Sequence, residues 1–348
     1  MTKKLINIIS KYSNIVFVWG GTGGHIQPII SLKKHLEWSN YKASLLWIWW
    51  TNSQEEIAAK NENISFFGIT TLKLATTKSF KILLYPLILI QGIFQARNIL
   101  KSFKKTNTIV FSKWWPGSVA VGIAAWSLHI PLHIHESDTV AGRSNKLLGV
   151  FATTVWLGFE QAKTYFKSEK CEVIGQIIDP IFSQKNIELI WEYVSWKTDK
   201  PHIFVTCGSQ GSRAIFESII TQFWTSSEYE WIIALGKLNT GMIDEFVHMN
   251  NCQAVNWLSQ ENIAKLIQGT DIAITRGSAT TLAEFTVGDH QSQLIIIPLP
   301  YSAWNHQYYN AKEYEQKWHI LLEQSNLQKL KNILLTITHN EWNWIKNK

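Results

Sequence analysis

Cysteine is scarce. The 348 residues hold three, Cys171, Cys207 and Cys252, far apart, with no CxxC pair and no histidine at metal-ligand spacing. That excludes a disulfide framework and fits free thiols in a reducing compartment. Long apolar runs are missing as well. No stretch reaches the ~20 residues of a membrane-spanning helix, and the opening MTKKLINIISKYSN is too short in its apolar part for a signal peptide. No Asp-x-Asp occurs, so a metal-chelating diphosphate site of that kind is not expected. No GK[ST] follows a glycine loop, which leaves ATP hydrolysis without support.

What is present is a core-forming chain. Hydrophobic residues make up 46% and charged residues 17%, the length suits two domains, and the net charge of +7 leans mildly towards anionic partners such as nucleotides, phosphates and acidic lipids. Strand-like runs alternate with helical ones. Ile15–Val18 ends in glycines and leads into HIQPIISLKKHL; Leu45–Trp50, Ile109–Ser112 and IPLHIHES read as further strands, and PGSVAVGIAAWSL as a helix. The second half repeats the scheme from HIFVTCGSQGSRAIFESII through EWIIALGK, CQAVNWLS, DIAITRGSATTLAEF and QLIIIPLP. This predicts an α/β chain of two doubly wound, mostly parallel sheets. The join is expected near Lys170–Pro180, which divides the chain into 1-170 and 171-348.

Each loop that carries chemistry also has a plain structural reading. Gly20, Gly21, Gly23 and Gly24 leave amides uncovered at a helix start, where anions bind. A dinucleotide site does not fit, because the third glycine of GxGxxG is Ile26 and the second strand ends without an acid. His25 stands where the helix field opposes its protonation, so a neutral, proton-accepting imidazole is expected; a simple capping turn fits the same residues. CGSQGSR, Cys207–Arg213, is a second candidate phosphate cradle or a tight turn. In TRGSATTLAEF, Glu284 could hold ribose hydroxyls or lie on a solvated helix face. NHQYYNA, Asn305–Ala311, offers neutral groups suited to sugar hydroxyls, or ordinary capping by Asn305. His133, His135, Glu136 and Asp138 follow a strand, but the pattern fixes no third metal ligand. Thr77–Lys105 joins an apolar run to Lys78, Lys81, Arg97, Lys101, Lys104 and Lys105: an interfacial segment on acidic headgroups, or a buried helix with solvated lysines.

Taken in order, GGTGGHxxP at Gly20–Pro28, HES-D…G…NK at His135–Lys146, GSQG-R at Gly208–Arg213, RGSATTLAE and HQYYNA at His306–Ala311 closely resemble the MurG family of bacterial glycosyltransferases, glycosyltransferase family 28. The resemblance covers nearly the whole chain. It implies the GT-B fold, two Rossmann-like domains facing a cleft, and inverting, metal-independent transfer of N-acetylglucosamine from UDP-N-acetylglucosamine to the C4 hydroxyl of lipid I. The N-terminal domain would take the acceptor and associate with the membrane. The C-terminal domain would take the donor, and the last helix would pack back on the N-terminal domain. By motif position, Ser209, Gln210, Gly211 and Arg213, with Thr22, Gly23, Gly24, Ser278, Ala279 and Thr280, would hold the UDP-sugar. Glu284 would hold the ribose, and His306 and Gln307 the sugar. Gly21 and Asn145 would face the acceptor. His25 is the expected base, with Glu136 and Asp138 as catalytic helpers, and Arg213 or Arg276 would steady departing UDP. No cofactor, no metal and no nucleic acid are expected. The partners are the two substrates and an anionic membrane surface met through 77–105, at the cytoplasmic face of the inner membrane. The rival readings are a glycosyltransferase acting on diacylglycerol and an inactive UDP-sugar-binding protein.

Two departures from the family stand out. The arginine of its Gly-Asn-Pro-Val-Arg run is Asp179 here, which puts a phosphate contact in question. Tryptophan occurs 18 times against 19 glycines. Trp19, Trp114, Trp115 and Trp318 fall on family glycines, and Trp50 and Trp304 on expected turns. The expectation is that many of these are UGA codons that the cell reads as glycine. As written, indoles would then sit at positive-φ turns, and Trp19 with Trp114–Trp115 would crowd the cleft.

Overall fold

The computed structural model describes residues 3–20, 23–71, 85–113, 116–184, 194–288 and 292–340. The chain forms two compact units that divide after Pro180. In the first unit the strands are β1 (Asn14–Val18), β2 (Ser44–Trp49), β3 (Ser65–Gly68), β4 (Thr108–Lys113), β5 (Leu132–Glu136), β6 (Thr154–Leu157) and β7 (Cys171–Val173). Its helices are α1 (Lys3–Ile9), α2 (Gly23–Trp38), α3 (Gln54–Asn61), α4 (Tyr85–Leu100), α5 (Pro116–Ser127) and α6 (Arg143–Phe151). The sheet runs β3-β2-β1-β4-β5-β6-β7, and every pairing is parallel. Cys171–Val173 closes this sheet against β6, so the first unit runs beyond the expected 1-170 to the far end of the Lys170–Pro180 stretch expected to hold the join.

The second unit repeats the plan with β8 (His202–Thr206), β9 (Glu230–Ala234), β10 (Cys252–Val255), β11 (Ile272–Thr275), β12 (Gln293–Ile296) and β13 (Ile320–Leu321). Its helices are α7 (Arg213–Phe223), α8 (Ile243–Phe246), α9 (Gln260–Gln268), α10 (Ala279–Thr286), α11 (His306–Glu315) and α12 (Leu330–Asn340). The order is β10-β9-β8-β11-β12-β13, again all parallel. Leu330, Leu334 and Ile337 of α12 are buried in the core of this second unit.

Both sheets are covered on their two faces, and this is why the central strands read as unbroken apolar runs: Ile15–Val18 and Ile272–Ile274 are fully buried. Each sheet reverses its strand order next to its first strand, between β1 and β4 and between β8 and β11. Ligands of such sheets bind at the crevice outside the carboxyl ends of these strands. Gly20 with the head of α2 after β1, and the CGSQGSR turn after β8, lie at these two points.

The tryptophans divide into two groups. The Trp19 ring is fully buried between Phe17 and Phe111, at centroid distances of 5.6 and 4.9 Å, so it fills core rather than crowding an opening. Trp114 and Trp115 lie outside the described residues. Trp304 and Trp318 instead take left-handed backbone, at φ 59° and 77°. Glycines with positive φ span 71–77° here, and the other non-glycine residues 52–60°, so Trp318 keeps glycine's company. It closes α11: the His319 N–H donates to the Tyr314 carbonyl at 3.3 Å across it, the bond of a Schellman close that favours glycine at the left-handed residue. The indole is 46% exposed, so little burial offsets the strain. Trp318→Gly is expected to stabilise this chain by about 1–2 kcal/mol and Trp318→Ala to recover none of it, since alanine keeps the left-handed penalty. Urea unfolding checks this, and mass spectrometry of the native peptide reads whether the cell places glycine there.

Candidate active site

The carboxyl edge of the second sheet gathers the motifs of that unit that are expected to take the donor. Gly208–Ser212 leaves β8 and enters α7 with Ser212 at the N-cap. Gly208 and Gln210 are exposed, and the Ser209 and Gln210 amides donate to no described residue. Two unengaged backbone donors, in the turn that leads into a helix head, are the kind of group that suits an anion. After β11, Ser278 is the N-cap of α10, Ala279 and Thr280 form its first turn, and Glu284 is buried one turn on, at 8% exposure. After β12, Gln307 on α11 accepts the Leu299 N–H at 2.9 Å, and His306 Nδ1 lies 2.6 Å from the Ala303 carbonyl.

These turns touch. A Cβ on Gly277 would run into the Gln307 backbone, and the Asn310 side chain donates to the Gly277 carbonyl at 3.2 Å. The 276–280 turn is therefore seated against the first turn of α11. Arg276, expected to steady the leaving group, has another task. Its buried guanidinium donates to the Ile297 and Pro298 carbonyls, to Ser212 Oγ and to Gln324 Oε1, at 2.5–3.1 Å. It ties four loops together and is spent as scaffold. Arg213 is exposed and pairs with Glu217 at 2.6 Å. Cys207 is a buried thiol whose pKa burial pushes up to about 12, so it stays protonated.

In the first unit, Gly21 and Thr22 lie outside the described residues. Gly23, Gly24 and His25 form the first turn of α2, at the crevice beside β1. Glu55, in the first turn of α3, is a neighbour the sequence did not point to: it is buried, and a Cβ on Gly20 would collide with its carboxylate.

Glu136 ends β5 and has no exposed surface. Its Oε1 accepts the Asp138 N–H at 3.0 Å, and its Oε2 accepts the Gly142 N–H at 2.9 Å and Asn145 Nδ2 at 3.0 Å. Asn145, on α6, also donates to the His135 carbonyl. Glu136, an expected helper, and Asn145, expected to face the acceptor, thus form one buried knot that shapes the loop bearing Asp138. Burial, and then the Asp138 charge, raise the Glu136 pKa above the ordinary carboxylate value. Beside it Lys113 ends β4, buried, its pKa lowered to about 8 by burial against the opposing pull of Asp138 and Glu136. His133 and His135 share a face of β5. His135 Nε2 meets the Gly175 carbonyl at 3.1 Å, while both ring nitrogens of His133 are buried without a partner against the Trp156 ring. Among the described residues no three His, Cys, Asp or Glu side chains stand together as metal ligands would. Asp179, in the place of the family arginine, is buried and pairs with Lys34 of α2 at 2.6 Å.

Known proteins resemble this arrangement. Residues 15–157 match the glycosyltransferase family 28 N-terminal domain, and residues 202–347 the family 28 C-terminal domain. A UDP-N-acetylglucosamine–N-acetylmuramyl-(pentapeptide) pyrophosphoryl-undecaprenol N-acetylglucosamine transferase of Prochlorococcus marinus is 31% identical over 332 residues, covering 92% of this chain and 85% of the relative. The chain belongs to this family, glycosyltransferase family 28 of the MurG type. The same transferase from Listeria monocytogenes EGD-e is 29% identical over 85% of the chain and 82% of its own length. In fold the chain resembles Acinetobacter baumannii MurG, with a TM-score of 0.70 at 22% identity over 92% of this chain and 90% of that one. It also resembles a UDP-GlcNAc 2-epimerase from Neisseria meningitidis, with a TM-score of 0.60 at 12% identity over 94% and 92%. The family's two Rossmann-like units are thus the GT-B fold.

The buried histidines set an acid limit. Burial holds His133 at about 4 and His319 at about 4, and burial with the Lys113 charge holds His135 at about 3, against an ordinary 6.5. Unfolded, each takes up a proton near 6.5; folded, each stays neutral until pH falls to these values. Their stabilisation is present above 6.5 and is lost as pH falls towards 4. Glu136 acts oppositely, stabilising below its unfolded 4.5 and losing that contribution as pH rises through its raised folded value. His133→Phe removes two unpartnered nitrogens, each costing about 1–3 kcal/mol when buried. It is expected to raise the urea midpoint more at about pH 5 than at about pH 7.5, flattening the acid limb.

Proposed function

We propose that this chain transfers N-acetylglucosamine from UDP-N-acetylglucosamine to the C4 hydroxyl of the N-acetylmuramyl-pentapeptide of lipid I, with inversion and without a metal. The observation that carries this reading is the meeting of the 208–212, 276–280 and 299–307 turns at one edge of the second sheet, in a chain that aligns with such transferases over most of its length. The second unit takes the donor. Amides of Ser209 and Gln210, at the head of α7, receive the diphosphate, with Gly211, Arg213, Ser278, Ala279 and Thr280 around it. Glu284 takes the ribose hydroxyls, and His306 and Gln307 the sugar.

The acceptor belongs to the first unit, at Gly21 and the Asn145 knot, and Thr22, Gly23 and Gly24 are assigned to the donor by motif position alone. The acceptor oxygen attacks the anomeric carbon as the bond to UDP breaks. His25 accepts the hydroxyl proton, its neutral form favoured by the helix head. The charge growing on UDP is met by backbone dipoles that need no rearrangement. Asp138 assists at the acceptor side, and Glu136 acts by holding the loop that carries it. His25→Ala is expected to lower kcat by about 10²–10⁴-fold, while a chelator leaves the wild-type rate unchanged. A chelator-sensitive rate refutes the metal-free reading.

The enzyme works as a peripheral protein at the cytoplasmic face of the inner membrane. Helix α4 supports this. Gly92, Ala96 and Leu100 pack inward, while Leu87, Ile90 and Phe94 are 49–65% exposed on the opposite side, near Arg97 and Lys101. Among the described residues no helix is long and apolar enough to cross a membrane. An exposed apolar stripe beside basic residues suits an acidic lipid surface. Replacing Leu87 and Phe94 by Asp is expected to abolish sedimentation with anionic vesicles while leaving turnover of a detergent-soluble acceptor intact.

A further inference from the structure

The CGSQGSR turn does not hold itself. It is gripped by the loop that leaves β9, residues 235–239. The Lys237 N–H donates to the Ser209 carbonyl at 2.9 Å, and the Leu238 N–H to the Gln210 carbonyl at 3.3 Å. The Asn239 side chain, 6% exposed, completes the grip: its Nδ2 donates to the Gln210 carbonyl at 2.9 Å and to the Leu235 carbonyl at 3.3 Å. The two loops approach backbone to backbone. A Cβ on Gly236 would stand 2.5 Å from the Gly211 nitrogen, and one on Gly211 would overlap the Leu235 carbonyl. Both glycines have positive φ, at 76° and 77°.

The consequence follows from peptide planarity. Each trans peptide points its C=O and N–H in opposite directions. The Ser209 carbonyl points into the grip, so the Gln210 N–H of the same peptide points away from it. That N–H donates to no described residue, whereas the next one, on Gly211, is used within the turn by the Gly208 carbonyl at 3.1 Å. The grip therefore leaves the Gln210 N–H aimed and unused in the turn that leads into α7.

We propose that Asn239 is a positioning residue for the donor diphosphate: its side-chain amide fixes the Gln210 carbonyl on the far side of that residue while the Lys237 N–H holds the Ser209 carbonyl on the near side, so that the Gln210 N–H between them is presented to a phosphate oxygen. The proposal rests on the transferase reading above. Asn239 touches no reacting atom and acts through the turn. An amide is needed, since its Nδ2 must donate to two carbonyls at once; a carboxylate of the same shape would face both with lone pairs.

Calorimetric titration of UDP and of uridine into wild type, Asn239→Asp and Asn239→Ala tests it. Expected is a loss of UDP affinity of about tenfold in both variants, matching one mispositioned hydrogen bond to a charged group. Uridine affinity should be unchanged, because uridine has no phosphate to feel the turn. The donor KM should rise in step while the acceptor KM stays level. A merely structural role would lower the active fraction and move neither ratio. A folded variant with wild-type UDP affinity, or equal losses for UDP and uridine, overturns the proposal. Should both variants fail to fold, hydrogen exchange on the wild type decides: UDP but not uridine should protect the Gln210 amide, and absence of protection overturns it. A wild type that binds no UDP overturns the transferase reading and this role with it; a wild type that binds UDP alongside indifferent variants overturns the role alone.

Discussion

A parallel sheet with a helix after each strand must leave its unpaired amides at one edge. Every strand points the same way, every following helix begins at the same side, and the first N–H groups of each helix have no partner within it. Both units of this protein are built on that constraint. It puts Gly20 and the head of α2 beside β4 and the Gly208–Ser212 turn beside β11, each where the strand order reverses. A negative diphosphate can be met there by dipoles already in place, which is why the proposed chemistry needs no cation from outside.

Dipoles serve only if they are held still. In the second unit the holding is done by groups that look functional in isolation. Arg276 resembles a phosphate ligand, yet its guanidinium is divided among Ser212, Gln324 and two carbonyls after β12. Asn310 secures the Gly277 carbonyl, and Asn239 the Gln210 carbonyl. Each bond crosses from one strand's loop to the next, so the edge behaves as one piece. The first unit follows the same logic with a carboxylate: Glu136 faces inward to the N–H groups of Asp138 and Gly142 and to Asn145, and shapes its loop from within. Asp179, where the family carries an arginine, is likewise turned to structure by Lys34.

The local pattern was a good guide wherever a single strand-turn-helix carries its own signature. Ile15–Val18, DIAITRGSATTLAEF and HIFVTCGSQGSRAIFESII fold as the alternation of apolar runs and glycine turns predicts, because their strands are buried on both faces and their turns need small residues. Short outer strands were not legible. Ser65–Gly68 and Cys171–Val173 are half-exposed and carry too few apolar residues to stand out, and only pairing with Trp47, Trp49 and Leu157 makes them strands. Trp318 was legible in part: a bulky residue after EQK at a helix end stood out, but only the closing bond from His319 to Tyr314 shows that the backbone there demands glycine's conformation.

By itself the sequence determined the fold class, the family and the motif residues, since these depend on neighbours within one turn or one helix. The tertiary structure alone decided which polar side chains are left for substrate and which are consumed in holding the loops. That division turns on contacts between residues tens of positions apart, such as Arg276 with Ser212 and Asn239 with Gln210. A hydrogen-bond donor can be satisfied by either a ligand or a distant carbonyl, and nothing along the chain distinguishes the two until the strands are laid side by side.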